Sequence, residues 1–303
     1  MKARKMSCVV FILFTLFSCA QLKAQDNFWK SKNAYLGQVP PGEEPTIFAK
    51  NLLKDSGIVL GRVTFSEDGK SFYYSFAAHW FDRRGSGTKE ILHNGKQWQK
   101  PNIIANDITN PAFSKDGKQL YLGGSNSQVW VMNKTNTGWT KPMVWLDKEY
   151  GLYNFQSCNS GTFYTGSNAM QGSKKDYNTY DFCKMTINGN DTTISSLGST
   201  INTAGFDGDF FIAPDESYII ISAKETPAYE CELWISFQKK DGTWTDPKSL
   251  GDKINNGSAH RFGQYVTPNG KYLFYTKGTS EKDCNIYWVR FDNLLALLKP
   301  SDL

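Results

Sequence analysis

The chain has 303 residues, 40% of them hydrophobic and 21% charged, enough for one large core and too apolar for wholesale disorder. The formal charge of +5 comes from the N-terminus, where Lys2, Arg4, Lys5 and Lys23 meet no acid; the nearly neutral remainder has no electrostatic draw toward nucleic acid or anionic lipid. Aromatic residues reach 15%, which favours strands and an all-β reading.

The basic start leads into an apolar run, Met6 to Phe17, too short to span a bilayer and suited to the core of an export signal. Residues 1–24 therefore read as a signal peptide. Three cleavage points compete: after Ala24, at the small-x-small Ser18-Cys19-Ala20, and at Leu16-Phe17-Ser18-Cys19, which has the form of a lipobox. In the last case the signal ends at residue 18 and Cys19 is lipidated. The protein is expected to be exported, either periplasmic or a lipoprotein that touches the membrane only through its anchor. Residues 25–44 read as an extended segment leading into the folded domain.

Beyond it, five segments share one form: a β-rich run, a tight polar turn and a second β-rich run. They are Val63–Tyr74, Pro111–Leu122, a weaker copy Phe155–Tyr164, then Phe210–Ile221 and Gln264–Tyr275. Asp68-Gly69, Asp116-Gly117 and Asn269-Gly270 form the turns, since Gly accepts positive φ and Asp or Asn tolerates the bend. In the fourth copy Glu216-Ser217 replaces the Gly, so another turn geometry is expected there. The spacing of roughly 44 to 55 residues is that of a four-stranded propeller blade.

A third strand follows each hairpin, at Lys89–Asn94, Gln128–Asn133, Asp181–Ile187, Glu232–Phe237 and Asn285–Phe291. A second punctuation then recurs: a turn, a Trp (Trp98, Trp139, Trp244) and a Pro (Pro101, Pro142, Pro247), absent from the third copy. Pro is tolerated on an outermost strand. The three Trp are expected to hold equivalent fourth-strand positions between neighbouring blades. The last repeat lacks a fourth strand, and Thr46–Leu53 is expected to supply it by pairing with Asn285–Phe291, which closes the ring and removes exposed edges. The expected fold is all-β, a five-bladed β-propeller over 45–292 closed by an N-terminal strand, with 293–303 as a C-terminal tail.

The Phe-Ser-x-Asp-Gly-Lys hairpin at Phe65–Lys70 and Phe113–Lys118, with variants Ala213-Pro214-Asp215 and Thr267-Pro268-Asn269-Gly270-Lys271, resembles the TolB-type, WD-like propeller repeat of bacterial envelope proteins. Tyr35–Gly42 is similar to the lead-in of exported members. The resemblance covers about residues 35–292 and implies binding and envelope assembly, with no shared catalytic motif. A monomer that binds an envelope protein or glycan is expected, with no cofactor and no nucleic acid.

In a propeller the second-to-third strand loops and the blade junctions share one face, and here they are the longer, richer loops. The expected binding residues are Trp80, Arg83 and Arg84 from the first blade, with Tyr153, Asp209, His260 and Arg261 at blade junctions; Trp, Tyr and Arg dominate interface energetics. The competing reading is a carbohydrate-active hydrolase or lyase using Asp107, Asp207, Asp209 or His260 near the central channel, with Glu225 and Glu230 on the same face. Nucleophilic Ser, phosphate-loop and dinucleotide motifs are absent. Cys158, Cys183, Cys231 and Cys284 show no CxxC and no metal-ligand spacing, and read as buried thiols or an unassignable disulfide. No metal site is expected.

Overall fold

The computed structural model describes residues 28–53, 58–80, 82, 84–125, 127–172, 174–189 and 191–303. The export signal, Cys19 and Arg83 lie outside the described residues.

Five antiparallel sheets form the molecule, each running from an inner first strand to an outer fourth. Blade 1 comprises Ile58–Phe65, Ser71–Ala77, Gly87–Leu92 and Asn102–Asn106; blade 2 comprises Thr109–Phe113, Gln119–Gly123, Gln128–Thr135 and Met143–Asp147. Blade 3 comprises Tyr153–Ser157, Phe163–Ser167, Asp181–Asn188 and Asp191–Ser196; blade 4 comprises Phe210–Ile212, Tyr218–Ala223, Glu232–Phe237 and Lys248–Ser249. Blade 5 takes His260–Val266, Tyr272–Gly278 and Asn285–Arg290 from the end of the chain, and Thr46–Ile47 from the start. First strands of successive blades touch one another around the ring, including blade 5 against blade 1. Burial follows position: every residue of His260–Val266 is buried, whereas the outer strand Met143–Asp147 has none buried.

The sequence motif has a direct physical meaning in the turns. Ser66, Ser114 and Thr267 donate their hydroxyls to Asp68, Asp116 and Asn269 at 2.6, 2.8 and 2.7 Å. Those same side-chain oxygens accept the backbone N–H of Lys70, Lys118 and Lys271. The glycine that follows adopts φ of 74, 67 and 70°. Blade 4 corrects the expectation of a different turn there. Glu216 takes the glycine's place at φ 63° and donates its N–H to Ala213 O at 2.8 Å, the same bond that each glycine makes. The strain of a left-handed Glu is offset by its side chain, which accepts the Tyr164 hydroxyl at 2.7 Å and so ties the turn to blade 3.

A second repeated device was not anticipated. Registers shift within the first strands of blades 1, 2, 3 and 5, and each carries a left-handed residue: Gly61, Asn110, Asn154 or Gly263. In blades 1 and 5 the residue after the bulge, Arg62 and Gln264, reaches the inner strand of another blade or its entry. At the blade 5–blade 1 seam a Cβ on Gly263 would lie 2.3 Å from the Gly61 carbonyl, so only glycine permits that approach.

Ring closure occurs where the missing strand predicted it, but over a shorter length. Thr46 pairs with Trp288, Ile47 with Tyr287, and Phe48 donates to Ile286 O. The chain then turns into a short helix, Lys50–Leu53, instead of continuing as a strand. Of the segment expected to be extended, residues 28–37 are folded. Phe28, Trp29, Tyr35 and Leu36 are buried, and Trp29 donates to Glu67 O while Tyr35 accepts from Asn269. This segment caps the hairpin turns of blades 1 and 5. The tail is likewise ordered: Asp292–Leu298 is helical, and Leu294, Leu295 and Leu298 pack on the core.

Trp98, Trp139 and Trp244 do occupy equivalent sites, bridging His93, Lys134 and Gln238 at the end of each third strand, just before the fourth strand rather than within it. Trp139 reaches Tyr73 of blade 1, and Trp244 packs among blade 3 and blade 4 side chains. Trp98 differs, being covered by Phe28 and donating to Asn33 O of the N-terminal segment.

Candidate functional site

The bulge at Gly61 sends Arg62 across the axis. Its guanidinium is buried and donates to Phe155 O at 3.1 Å, Asn154 O at 3.2 Å and Phe210 O at 3.4 Å, and also to Asn154 Oδ1. Blade 1 is thereby tied to blades 3 and 4 through the middle of the ring. Burial pulls the Arg62 pKa down to about 9, against the opposing pull of the Asp209 charge.

Asp209, at the entry to the first strand of blade 4, accepts the Tyr153 hydroxyl at 3.3 Å. Asp207, two residues earlier, accepts from the Thr203 N–H and hydroxyl. Burial raises both carboxyls to about 6. Glu225, on the second-to-third strand loop of blade 4, keeps solvent access, yet the crowding loops and then the charges of Asp209 and Asp207 raise it to about 7. Three carboxylates with displaced pKa values thus lie within electrostatic reach of one another on the loop-rich face. No group of His, Cys, Asp and Glu that could hold a metal ion occurs among the described residues.

Aromatic rings flank these acids. Tyr177 and Tyr180 lie against Phe206, with centroids 6.5 and 5.6 Å away, and Phe206 meets Tyr153 at 5.4 Å. On the blade 5 side, Tyr229 and Trp80 approach His260 at 6.1 and 6.5 Å. The His260 Nδ1–H donates to Tyr229 O at 2.6 Å, and burial lowers its pKa to about 4, so the ring is neutral at pH 7.

The structure therefore brings together Tyr153, Asp207 and Asp209 on one side, and Trp80 and His260 on the other. Trp80 is half-buried, its ring wedged against Gly278 of blade 5 and its backbone N–H donating to the Glu281 carboxylate. Arg84 is exposed and ion-paired with Asp82 at 3.0 Å. Arg261 is only 1% exposed, and its guanidinium donates to the carbonyls of Ile254, Cys231, Ala259, Asn256 and Gly257. It is an internal strut for the blade 4–5 junction rather than a group facing a ligand. Asp107 is exposed, left-handed at φ 58°, and joined to Ser86 at the blade 1–2 junction, apart from the other acids. The four cysteines are free thiols; Cys158, Cys183 and Cys231 are buried. Sequence reasoning missed Arg62, Phe206 and Tyr229. The one available signal was a charged residue between Gly61 and Val63 in an otherwise apolar strand.

The pKa directions give opposing pH dependences. Asp209 has a folded value of about 6 against an ordinary 3.8, so its contribution to stability is full at low pH and is lost as pH rises through that interval. His260, lowered from 6.5 to about 4, contributes fully above its ordinary value and loses that contribution as pH falls. The two slopes offset each other in wild type. Asp209→Asn should therefore gain stability relative to wild type between pH 4 and 6, read from urea melts; a flat difference curve would contradict the assignment.

No family model and no curated protein sequence matches the chain. Among solved structures it is similar to the periplasmic gluconolactonase PpgL of Pseudomonas aeruginosa, at 10% identity and a TM-score of 0.42, over 72% of this chain and 64% of that one. It is also similar to TolB from Acinetobacter baumannii, at 11% identity and a TM-score of 0.45, over 77% of this chain and 54% of that one. A third is the Cps50 (Swd1) β-propeller domain of Myceliophteria thermophila, at 8% identity and a TM-score of 0.40, over 74% of this chain and 64% of that one. In each case the matched part spans less than two thirds of the other chain. No helix among the described residues is long and apolar enough to cross a membrane.

Proposed function

We propose that the protein is an exported, non-catalytic binding module of the cell envelope that recognises a protein or glycan on its loop-rich face. One observation carries this reading. The exposed large aromatic side chains among the described residues, Tyr177 and Tyr229, stand on loops of that face, Tyr177 against Phe206, the residue before Asp207, and Tyr229 against His260 on the loop that also carries Glu225. Flat rings bury area against a sugar or peptide, and carboxylates accept its hydroxyls or amides. The basic-then-apolar N-terminus supports export, and lipid on Cys19 would be the attachment to the membrane. Trp80, Arg84, Tyr153 and His260 border the site, and Arg261 holds it from beneath.

The test is a glycan array paired with capture of envelope proteins by immobilised wild type. The Tyr177→Ala, Tyr229→Ala double variant should bind the recovered ligand about tenfold more weakly, roughly 1.4 kcal/mol, with an unchanged melting temperature because both rings are exposed. Undiminished binding would overturn the reading.

A second reading, a carbohydrate-active hydrolase or lyase, draws on Glu225 at about 7 beside Asp207 and Asp209 at about 6. A carboxyl still protonated near neutral pH is what general acid catalysis needs. Glycoside turnover by wild type that is lost in Asp209→Asn would select it.

A further inference from the structure

The hairpin-turn face, opposite the loop-rich one, holds a cavity of about 700 Å³ with Arg62 at its buried end. Its lining includes Thr64, Ser157 and Gln156 beside Phe211 and Tyr265. Ser157 donates its hydroxyl to Phe113 O and Gln156 its amide to Phe210 O, so what these groups offer a ligand is acceptor capacity. The volume falls within the roughly 300–1,000 Å³ of small-molecule sites. At the mouth, Lys70, Lys115 and Lys134 face Glu67, Asp68 and Asp116, so the rim itself is charge-balanced.

The buried end is not balanced. Every hydrogen bond of the Arg62 guanidinium runs to a neutral oxygen. Arg62 makes no ion pair among the described residues, and its Nε is buried without a hydrogen-bond partner there. Asp209 acts on it only through space. A buried cation whose nearest counter-charge makes no direct contact, with a donor left open, is costly. An anion entering from the turn face would add the direct counter-charge that Arg62 lacks, and walls with hydroxyl and amide acceptors suit a hydroxylated body behind the acid group. We propose that this cavity binds a small hydroxylated carboxylate, its acid group set against Arg62. The site is separate from the loop-rich face and stands or falls independently of the function proposed above.

The test is calorimetric titration of the wild-type protein at pH 7 with D-glucuronate and, separately, with D-glucose. The acid should bind about tenfold or more tightly than the neutral sugar, as a charge-assisted contact to a buried guanidinium requires. Hydrogen exchange in the complex should slow at Thr64 and Gln156. Arg62→Met, if folded, should lose the preference for the acid; the wild-type comparison decides the matter if that variant does not fold. Equal affinity for the two, binding of neither, or protection confined to the loop at 224–231 would overturn the proposal.

Discussion

Deletion of residues 44–53 should unfold the entire propeller, not merely fray blade 5. Thr46 and Ile47 complete the outer edge of that blade, but Phe48 does more than extend it. It is 1% exposed and packs against Phe274 and Trp288 of blade 5 at 4.9 and 5.0 Å, and against Phe72 of blade 1 at 5.4 Å. One side chain thus joins the first blade to the last. Without it the ring opens at the Gly61–Gly263 seam, where two first strands touch, and both would become exposed edges. Phe48→Ala alone should cost about 3–5 kcal/mol, the usual range for emptying a buried aromatic site. Circular dichroism melts of both variants provide the check. A deletion variant that keeps its cooperative transition at the wild-type temperature would refute closure by this segment.

The second large effect is expected at Trp244. The residue is 3% exposed and fills the space between blades 3 and 4 among Tyr164, Phe182, Phe210 and Ile219. Trp244→Ala should cost about 3–5 kcal/mol in urea unfolding. The equivalent changes at Trp98 and Trp139 should cost less, since both rings are only partly buried. Their equivalence is one of backbone position, not of environment. Trp98 sits under the N-terminal segment, so its removal should also loosen Phe28, detectable as faster proteolysis near residue 33. A Trp244→Ala loss no larger than that of Trp139→Ala would contradict the packing described for blade 4.

The fold was largely legible because its cues are local. Ser-x-Asp-Gly-Lys specifies a turn through contacts within six residues, and a missing fourth strand can be counted. What escaped was non-local. Glu216 adopts a glycine conformation because Tyr164, 52 residues away, holds its side chain. Residues 28–37 fold because the turns of blades 1 and 5 offer Glu67 O and Asn269 as partners. Which of the expected residues come near one another was legible only in part. Tyr153, Asp209 and His260 meet their neighbours as loop topology requires, whereas Arg261 is drawn inward by five backbone carbonyls that no spacing announces. Topology put Glu225 on the same face as Asp207 and Asp209, but not near enough to say that their charges would raise its pKa.

The proposed recognition face is tested most directly by hydroxyl-radical footprinting of the protein with and without a macromolecular ligand recovered from the array or the envelope extract. Oxidation of Tyr177, Tyr229 and Met170, exposed together on the loop-rich face, should fall sharply in the complex, while the hairpin turns at 66–71 and 114–119 stay as reactive as before. Protection of those turns with Tyr177 and Tyr229 still fully oxidised would put recognition on the opposite face and contradict the proposed function.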